Sequence, residues 1–178
     1  MFTIETARLA LREHVMEDLI SHHALFSHGK VMRYLPEIRT GTLEESERNL
    51  RASMEPSCGR LFLRIEEKET GQHVGEIGYT IEAEYPMGRF AGLGYFIHER
   101  FWGKGYVTEA ARALIRYGFE EGGICRFSCG CLKENVASER VMIRCGMVKE
   151  AEFARYQWHE GKLKDRVVYR LLREEWRR

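Results

Sequence analysis

The sequence predicts an α/β fold in which one mixed central sheet of about six to seven strands carries helices on both faces. One observation is the order of the predicted elements, β-α-α-β-β-β-α-β-α-β-β. Another is the length of 178 residues with 44% hydrophobic composition and no repeats or linkers, which predicts one domain over residues 1–178. A third is a helical stripe of apolar residues that would face a sheet, made by Val107, Ala110, Ala111, Leu114, Ile115 and Phe119.

The first half of the chain begins with a strand and continues through two helices to three strands. Apolar residues at helical spacing, including Leu19, Ile20, Leu25 and Phe26, indicate the first helix. A capping-box pattern at Thr42 to Glu45 marks the start of the second. The predicted elements are strand Arg8–Arg12, helices Glu17–Phe26 and Leu43–Met54, and strands Leu61–Glu66, His73–Glu84 and Gly92–His98.

The second half follows the striped helix with a strand, a short helix and two long strands. Asn135 is a good N-cap and Gly146 suits the left-handed conformation that ends a helix, so together they delimit the short helix. The predicted elements are strand Arg126–Leu132, helix Val136–Arg144, and strands Val148–Trp158 and Lys164–Leu172.

Charge and hydropathy exclude several classes of function. The net charge is +1, from 28 basic and 27 acidic residues, which gives no basic face for direct nucleic-acid binding. No apolar run approaches the roughly 18 residues of a membrane span, and the N-terminus lacks the apolar region of a signal peptide. We therefore expect a cytoplasmic protein with no membrane partner.

The five cysteines are an odd number, which argues against a disulfide framework. Cys125, Cys129 and Cys131 share one face of a strand because their positions differ by even numbers. Three thiols on one strand rarely form a metal site without a ligand from elsewhere, so we interpret them as core residues and predict no metal site.

The most informative motif is Arg100-x-x-Gly103-x-Gly105, which follows an apolar strand and leads into the striped helix. Glycines let the backbone approach an anion, and free N–H groups at a helix N-terminus point toward it. A nucleotide P-loop is excluded because a single residue, Lys104, separates the glycines; the dinucleotide fingerprint is excluded because Thr108 replaces its last glycine. An acyl-CoA pyrophosphate loop or a glycine-rich turn without a ligand remains.

A second motif, Asn135-Val-Ala-Ser138, opens a helix that ends at Gly146-Met147. With the glycine loop about thirty residues earlier, it resembles the paired CoA-side motifs of the GNAT superfamily of N-acetyltransferases. The segment Trp158–Tyr169 with Trp176, and the opening segment Ile4–Arg12, are similar to the ribosomal-protein N-terminal acetyltransferase branch of that superfamily. The resemblance implies a GNAT fold and acetyl-CoA as co-substrate. For Asn135 and Ser138, simple capping of a helix stays an alternative.

The resemblance also implies roles for individual residues. The pantetheine arm of acetyl-CoA would lie along the backbone of Leu93–Ile97. Ser138 would donate a proton or hydrogen bond to the leaving thiolate. The general base is open, because Gly92 stands where relatives often have an acid; Glu76 and His159 are substitutes, with ordinary surface positions as the alternative for each. The cofactor-binding residues would be Leu93, Tyr95, Phe96, Ile97, Arg100, Trp102, Gly103, Lys104, Gly105, Tyr106, Val107, Thr108, Asn135 and Ser138.

Three hypotheses of function follow. The first is an acetyl-CoA-dependent N-acetyltransferase acting on a protein or peptide N-terminal α-amine, which suits a site with a weak base because an α-amine titrates near 7.7–8.0 and a lysine near 10.4. The second is acetylation of a small amine such as an amino acid, a polyamine or an aminoglycoside. The third is a non-catalytic sensor that binds acyl-CoA. A monomer or a homodimer is expected.

Overall fold

The computed structural model describes residues 2–55 and 59–176. Its helices are α1 (Leu19–Phe26), α2 (Leu43–Met54), α3 (Tyr106–Glu120) and α4 (Val136–Arg144). Its strands are β1 (Thr3–Glu5), β2 (Leu9–Arg12), β3 (Arg60–Glu67), β4 (His73–Tyr85), β5 (Gly88–Ile97), β6 (Ile124–Leu132), β7 (Val148–His159) and β8 (Lys162–Leu172). The predicted α/β class with a mixed sheet is confirmed.

The sheet has eight strands in the order β1-β2-β3-β4-β5-β6-β8-β7. This exceeds the predicted six to seven because β1, a strand of only three residues, pairs with β2 and is too short to show a pattern in the sequence. All pairs are antiparallel except that of β5 with β6, which is parallel. The parallel pair sits in the interior of the sheet, with α3 as its crossover.

Helices lie on both faces of the sheet, as predicted. On one face α3 buries its apolar stripe against Leu93 of β5 and Phe127 of β6. On the other face the ring of Phe26 of α1 packs at a tilt against that of Phe96 of β5, with ring centroids 5.0 Å apart. Because side chains alternate along a strand, consecutive residues of β5 meet different helices. That alternation determines which residues reach the site described below.

Local sequence patterns predicted the ends of some helices and strands more accurately than others. Helices α2 and α4 have the predicted bounds, and Thr42 and Asn135 both accept a capping hydrogen bond from the third residue of their helix. Helix α1 begins later than predicted because Met16–Asp18 forms a 3₁₀ turn ahead of it. Ile20, predicted in its apolar stripe, is exposed. Strand β5 begins at Gly88, earlier than predicted, because its first residues form a tight hairpin with β4.

The cysteines of the described residues test one further expectation. Cys129 and Cys131 are buried and Cys125 is half-buried, so the expected core position holds for the first two and in part for the third; Cys145 is also free. Burial raises the pKa of the Cys129 thiol to about 12, which keeps it neutral. Cys58 lies outside the described residues.

Within residues 2–55 and 59–176, no helix has the length and apolar character needed to cross a membrane.

Candidate active site

A cleft opens where the two parallel strands diverge. β5 pairs with β6 only from Arg89 to Gly92; beyond Gly92, β5 continues beside β4 while β6 continues beside β8. The backbone of β5 from Leu93 to Ile97 therefore has a strand partner on one side only. A free strand edge of this kind offers N–H and C=O groups to an extended ligand. The predicted segment for the pantetheine arm coincides with this free edge.

The glycine loop closes one end of the cleft and leads into α3. Gly103 and Gly105 have φ values of 75° and 79°, in the left-handed region that favours glycine. Gly105 is the N-cap of α3, and no side chain caps the helix there. The first N–H groups of α3, from Tyr106 to Thr108, thus begin at an exposed loop where the helix dipole favours an anion.

Basic side chains around the loop are held by other groups of the protein. Arg8, which the sequence interpretation did not single out for the site, donates to the carbonyl of Lys104 at 3.1 Å and to the Glu109 carboxylate at 2.7 Å. Arg100 packs over the ring of Phe101, 4.9 Å from its centroid, and its guanidinium points toward the His73 carbonyl. Arg8, the residue just before β2, therefore holds the loop in place, whereas the side chain of Arg100 lies against the start of β4.

The predicted residues of β5 divide between the two faces. The side chains of Leu93, Tyr95 and Ile97 belong to the face covered by α3 and α4, whereas that of Phe96 packs with Phe26 on the face of α1. Phe96 can therefore contribute to the cleft through its backbone. At the end of the strand, the indole of Trp102 donates to the carbonyl of Ile97 at 3.0 Å and is itself exposed.

A pair of hydroxyl groups faces the cleft from its two sides. The Oη atom of Tyr95 on β5 lies 2.8 Å from Oγ of Ser138 on α4, and it also donates to the Ser138 carbonyl at 3.1 Å. Burial raises the pKa of Tyr95 well above its ordinary value, so its hydroxyl keeps its proton and remains a donor. Asn135 accepts a hydrogen bond from the Ser138 N–H at 3.3 Å and so fixes the first turn of α4.

The sequence interpretation assigned Tyr95 to the cofactor backbone contacts and missed its hydroxyl. The signal available was the alternation along β5, which places Tyr95 on the same face as α4. Its contact with Ser138 depends on how closely α4 approaches β5, a distance that the sequence does not encode.

An acid is present where Gly92 leaves the expected one out. A Cβ atom built on Gly92 would lie 2.4 Å from Oε1 of Glu82, so the Glu82 carboxylate fills the space of a side chain at that position. The other carboxylate oxygen accepts a hydrogen bond from the Ser128 hydroxyl at 2.9 Å. Gly92 and Ser128 form the last parallel pair before the strands diverge, so Glu82 lies at the apex of the cleft. The sequence analysis left the general base open, and Glu82 is a further candidate that it did not consider.

Glu82 reaches this place because β4 has a bulge. The pairing with β5 shifts between Ile81 and Ala83, and Glu82 is the residue left without a partner. A bulge re-aims the side chain of the extra residue relative to the regular pleat. The sequence gives no signal for a bulge at this point, and so Glu82 was missed.

Glu76 and His159, the two substitutes considered for the base, are both buried rather than on the surface. Glu76 is 1% exposed and contacts His22 of α1, on the face away from α4. His159 is 3% exposed, and its ring lies 5.6 Å from that of Tyr34. Neither is at the apex of the cleft.

Two segments that the GNAT resemblance implies would receive the acceptor, residues 31–39 and 156–165, contact each other, and we call the surface beside them the acceptor opening. Arg33, in the loop between α1 and α2, pairs with Glu160 in the β7–β8 turn at 3.1 Å. Beside them, Tyr156 and Trp158 of β7 are exposed aromatic residues. Glu134 is paired with Lys164 of β8. The carboxylates described at this opening therefore already have cationic partners.

A diverging parallel strand pair, with a glycine loop that opens a helix at one end and a hydroxyl pair across it, fits an acyl-CoA-dependent acyltransferase. The family model for the acetyltransferase (GNAT) domain matches residues 8–148, and the chain belongs to this family. The predicted enzyme class is thereby confirmed, with acetyl-CoA as its co-substrate.

The chain is similar to several proteins over most of its length. It is 28% identical to the uncharacterized N-acetyltransferase YnaD of Bacillus subtilis over 173 residues, 97% of this chain and 98% of the relative. It is 29% identical to the ribosomal-protein-serine acetyltransferase of Escherichia coli over 115 residues, 61% of each chain. The crystal structure of a GNAT-family acetyltransferase from Bacillus anthracis superposes with a TM-score of 0.84 at 27% identity, covering 97% of this chain and 99% of the other. The predicted resemblance to the ribosomal-protein branch is confirmed.

Proposed function

We propose that this enzyme acetylates the N-terminal α-amine of a protein or peptide. The observation that carries the acetyl-transfer chemistry is the cleft between β5 and β6, with its glycine loop at one end and the Tyr95–Ser138 pair across it. The acceptor class rests on the similarity to the E. coli ribosomal-protein-serine acetyltransferase and on the charges at the acceptor opening. A cytoplasmic location stays a prediction, as does the choice between monomer and homodimer.

Each part of the cleft would have a separate role in binding acetyl-CoA or in the reaction. The backbone of Trp102–Val107 would hold the pyrophosphate through N–H groups and the dipole of α3. The free edge of Leu93–Ile97 would pair with the amide groups of the pantetheine arm, and an N–H of the same edge would stabilise the oxyanion. The Ser138 hydroxyl, polarised by Tyr95, would donate to the departing thiolate.

Glu82 would take the proton of the attacking amine. Its carboxylate is exposed at the apex of the cleft and is oriented by the Ser128 hydroxyl, which leaves its Oε1 atom directed over Gly92. A positioned carboxylate acts as general base directly or through one water molecule. This role requires only that the acceptor amine approach from the side of the sheet on which Glu82 lies.

We expect Glu82→Gln to lower kcat by roughly 10²-fold, because the amide cannot accept the proton. The KM for acetyl-CoA should change little, since Glu82 lies apart from the glycine loop. Glu84→Gln, which neutralises another exposed carboxylate of β4, serves as the matched control and should retain full activity. Steady-state kinetics at saturating acetyl-CoA measure the difference; equal kcat values for the two variants would remove Glu82 from the mechanism.

The acceptor opening favours a singly charged amine over a polyamine. A polycation needs several uncompensated carboxylates, but Glu160 is paired with Arg33 and Glu134 with Lys164. Among amines on proteins, the α-amine requires less deprotonation than lysine by about 3.5 kcal/mol, given ordinary values near 7.8 and 10.4. A carboxylate base is weak, so this difference selects the α-amine.

Peptides with a free N-terminus and internal lysines should therefore be acetylated at the terminus alone, and the rate should rise with pH as the free α-amine fraction increases through about pH 8. Mass spectrometry of digested products identifies the modified amine. The same panel should contain N-terminally blocked peptides and small amines, including a polyamine, as controls. Exclusive lysine acetylation, or activity restricted to small amines, would refute the acceptor assignment and leave the acetyltransferase class intact.

A further inference from the structure

A group of buried ligating side chains lies between α1 and the sheet, apart from the acetyl-transfer cleft. His14 precedes α1, His22 is on α1 and Glu76 is on β4; they are 5%, 0% and 1% exposed. Nε2 of His14 lies 3.5 Å from Oε2 of Glu76, and Nδ1 of His22 lies 2.6 Å from Oε1 of the same carboxylate. One ligand atom from each of the three residues lies within 4.8 Å of the others.

The imidazole groups of this cluster are incompletely paired within the described residues. Neither ring nitrogen of His14 has a hydrogen-bond partner, and Nε2 of His22 has none. Buried polar atoms without partners are rare in folded proteins because desolvation is not compensated. His22 and Glu76 share one hydrogen bond at 2.6 Å, whereas Nε2 of His14 faces Glu76 at 3.5 Å without forming one, so the three groups converge while three ring nitrogens stay unpaired.

Among the residues that the structure describes, the two arginines near the cluster pair with carboxylates other than Glu76. Arg12 pairs with Asp18 at 2.8 Å and with Glu66 at 2.7 Å. Arg64 pairs with the same two carboxylates, at 3.4 Å and 2.7 Å. Two guanidinium groups thus balance two carboxylates.

Glu76 is the remaining anion, and it is surrounded by imidazoles. A buried carboxylate requires a compensating positive charge.

We propose that His14, His22 and Glu76 bind a divalent transition-metal ion, with Zn²⁺ as the preferred occupant. Two imidazoles and a carboxylate are a common donor set for Zn²⁺, and metal–ligand bonds of about 2.0–2.1 Å place neighbouring ligand atoms roughly 3.3 Å apart. The distance of 3.5 Å between Nε2 of His14 and Oε2 of Glu76 fits this value. The 2.6 Å contact between His22 and Glu76 would have to lengthen by about 0.7 Å. The ion would tie α1 to the sheet.

Outer contacts and access also suit an ion. The Asp18 carboxylate lies 3.9 Å from Nδ1 of His14, close to where an outer-sphere carboxylate orients a metal-bound histidine. His73, whose Nε2 is 3.8 Å from Glu76, also lines an open groove with Ser21 and His98. The groove therefore ends one side chain, that of His73, away from the cluster, and an ion would enter past this side chain.

A second group with ligating side chains, Glu134, His159 and Glu160, is a weaker site. Its two carboxylates are exposed and are already engaged by Lys164 and Arg33. An ion there would have to displace both cations. The buried group has no such competitor, and so the proposal assigns the ion to it.

The test is metal analysis of the full-length protein after chelation, desalting and incubation with Zn²⁺. We expect about one Zn²⁺ per chain by elemental mass spectrometry, and a rise in Tm of about 5 °C or more at an ion concentration 100 times Kd. Cobalt substitution should give the visible absorption of a low-symmetry, four- or five-coordinate site. A folded wild-type chain that retains no Zn²⁺ and shows no shift in Tm would overturn the proposal, leaving an ordinary His22–Glu76 hydrogen bond.

Substitutions locate the ion. His22→Gln and Glu76→Gln should each abolish stoichiometric binding while circular dichroism shows a folded chain. His28→Gln, which alters an exposed histidine just after α1, should bind as the wild type does. Binding that survives in His22→Gln but is lost in His159→Gln would place the ion at the exposed group and refute the proposal. If a cluster variant fails to fold, the wild-type stoichiometry and cobalt spectrum still decide the matter.

Discussion

Replacing Ser138 with alanine should lower kcat by roughly 10–10³-fold while the affinity for acetyl-CoA stays nearly constant. The lost hydroxyl lies 2.8 Å from the Tyr95 Oη atom and would act on the leaving thiolate, an interaction strongest in the transition state. Kinetics under conditions where chemistry limits the rate measure the effect. Ser53→Ala is the matched control, because Ser53 is a helical serine of α2 whose hydroxyl donates to the Asn49 carbonyl of the same helix, away from the cleft.

The Tyr95 hydroxyl allows a sharper version of this experiment. If Ser138 and Tyr95 act on the same proton, their removal is strongly non-additive, and the double variant Ser138→Ala/Tyr95→Phe should be little slower than the slower single variant. Tyr95→Phe keeps the ring that packs in the core, so the fold should persist. Full activity of Ser138→Ala would reduce Ser138 to a residue of the first turn of α4, which is the helix-capping alternative.

Gly105→Val should weaken acetyl-CoA binding by about tenfold or more, which corresponds to at least 1.4 kcal/mol. At φ 79° a β-branched residue is strained, and relief of that strain would turn the N–H groups of the loop away from the pyrophosphate. The only described neighbour of an added Cβ within 4 Å is the Arg8 guanidinium at 3.7 Å, so the effect comes from backbone geometry and from bulk at the ligand rather than from a clash within the protein. Calorimetry with acetyl-CoA or CoA measures the affinity.

Gly146→Val separates this effect from general strain. Gly146 ends α4 with φ 80°, and nothing lies within 4 Å of an added Cβ atom. Both variants should lose similar stability in thermal unfolding, but only Gly105→Val should lose affinity. Equal affinity in the two variants would exclude the placement of the pyrophosphate on Trp102–Val107.

The parts of the fold that the sequence predicted well are those governed by local rules. Capping residues gave the bounds of α2 and α4, and the apolar stripe gave α3, because both signals depend on neighbours a few residues away. The glycine loop is also determined locally, because one short segment contains both its left-handed residues and the start of the helix that follows. Local sequence alone therefore predicts where the cofactor side of the site lies.

The chemistry of the site depended on contacts that no local rule determines. The Tyr95–Ser138 pair joins residues 43 positions apart, and the Glu82–Ser128 contact joins residues 46 apart. Each distance results from how a strand and its neighbour pack. Glu76 illustrates the converse: its residue type suggested a base, but the pleat of β4 turned it toward α1 and into a cluster of histidines.

The bulge in β4 affects how this enzyme compares with its relatives. The Glu82 carboxylate occupies the volume above Gly92, although Glu82 belongs to β4 and Gly92 to β5. A comparison of residue types position by position would find glycine at 92 and score no acid there. A comparison made in space would find a carboxylate at the same place, so under the proposed mechanism the three-dimensional position of the carboxylate is the basis on which to compare this enzyme with its relatives.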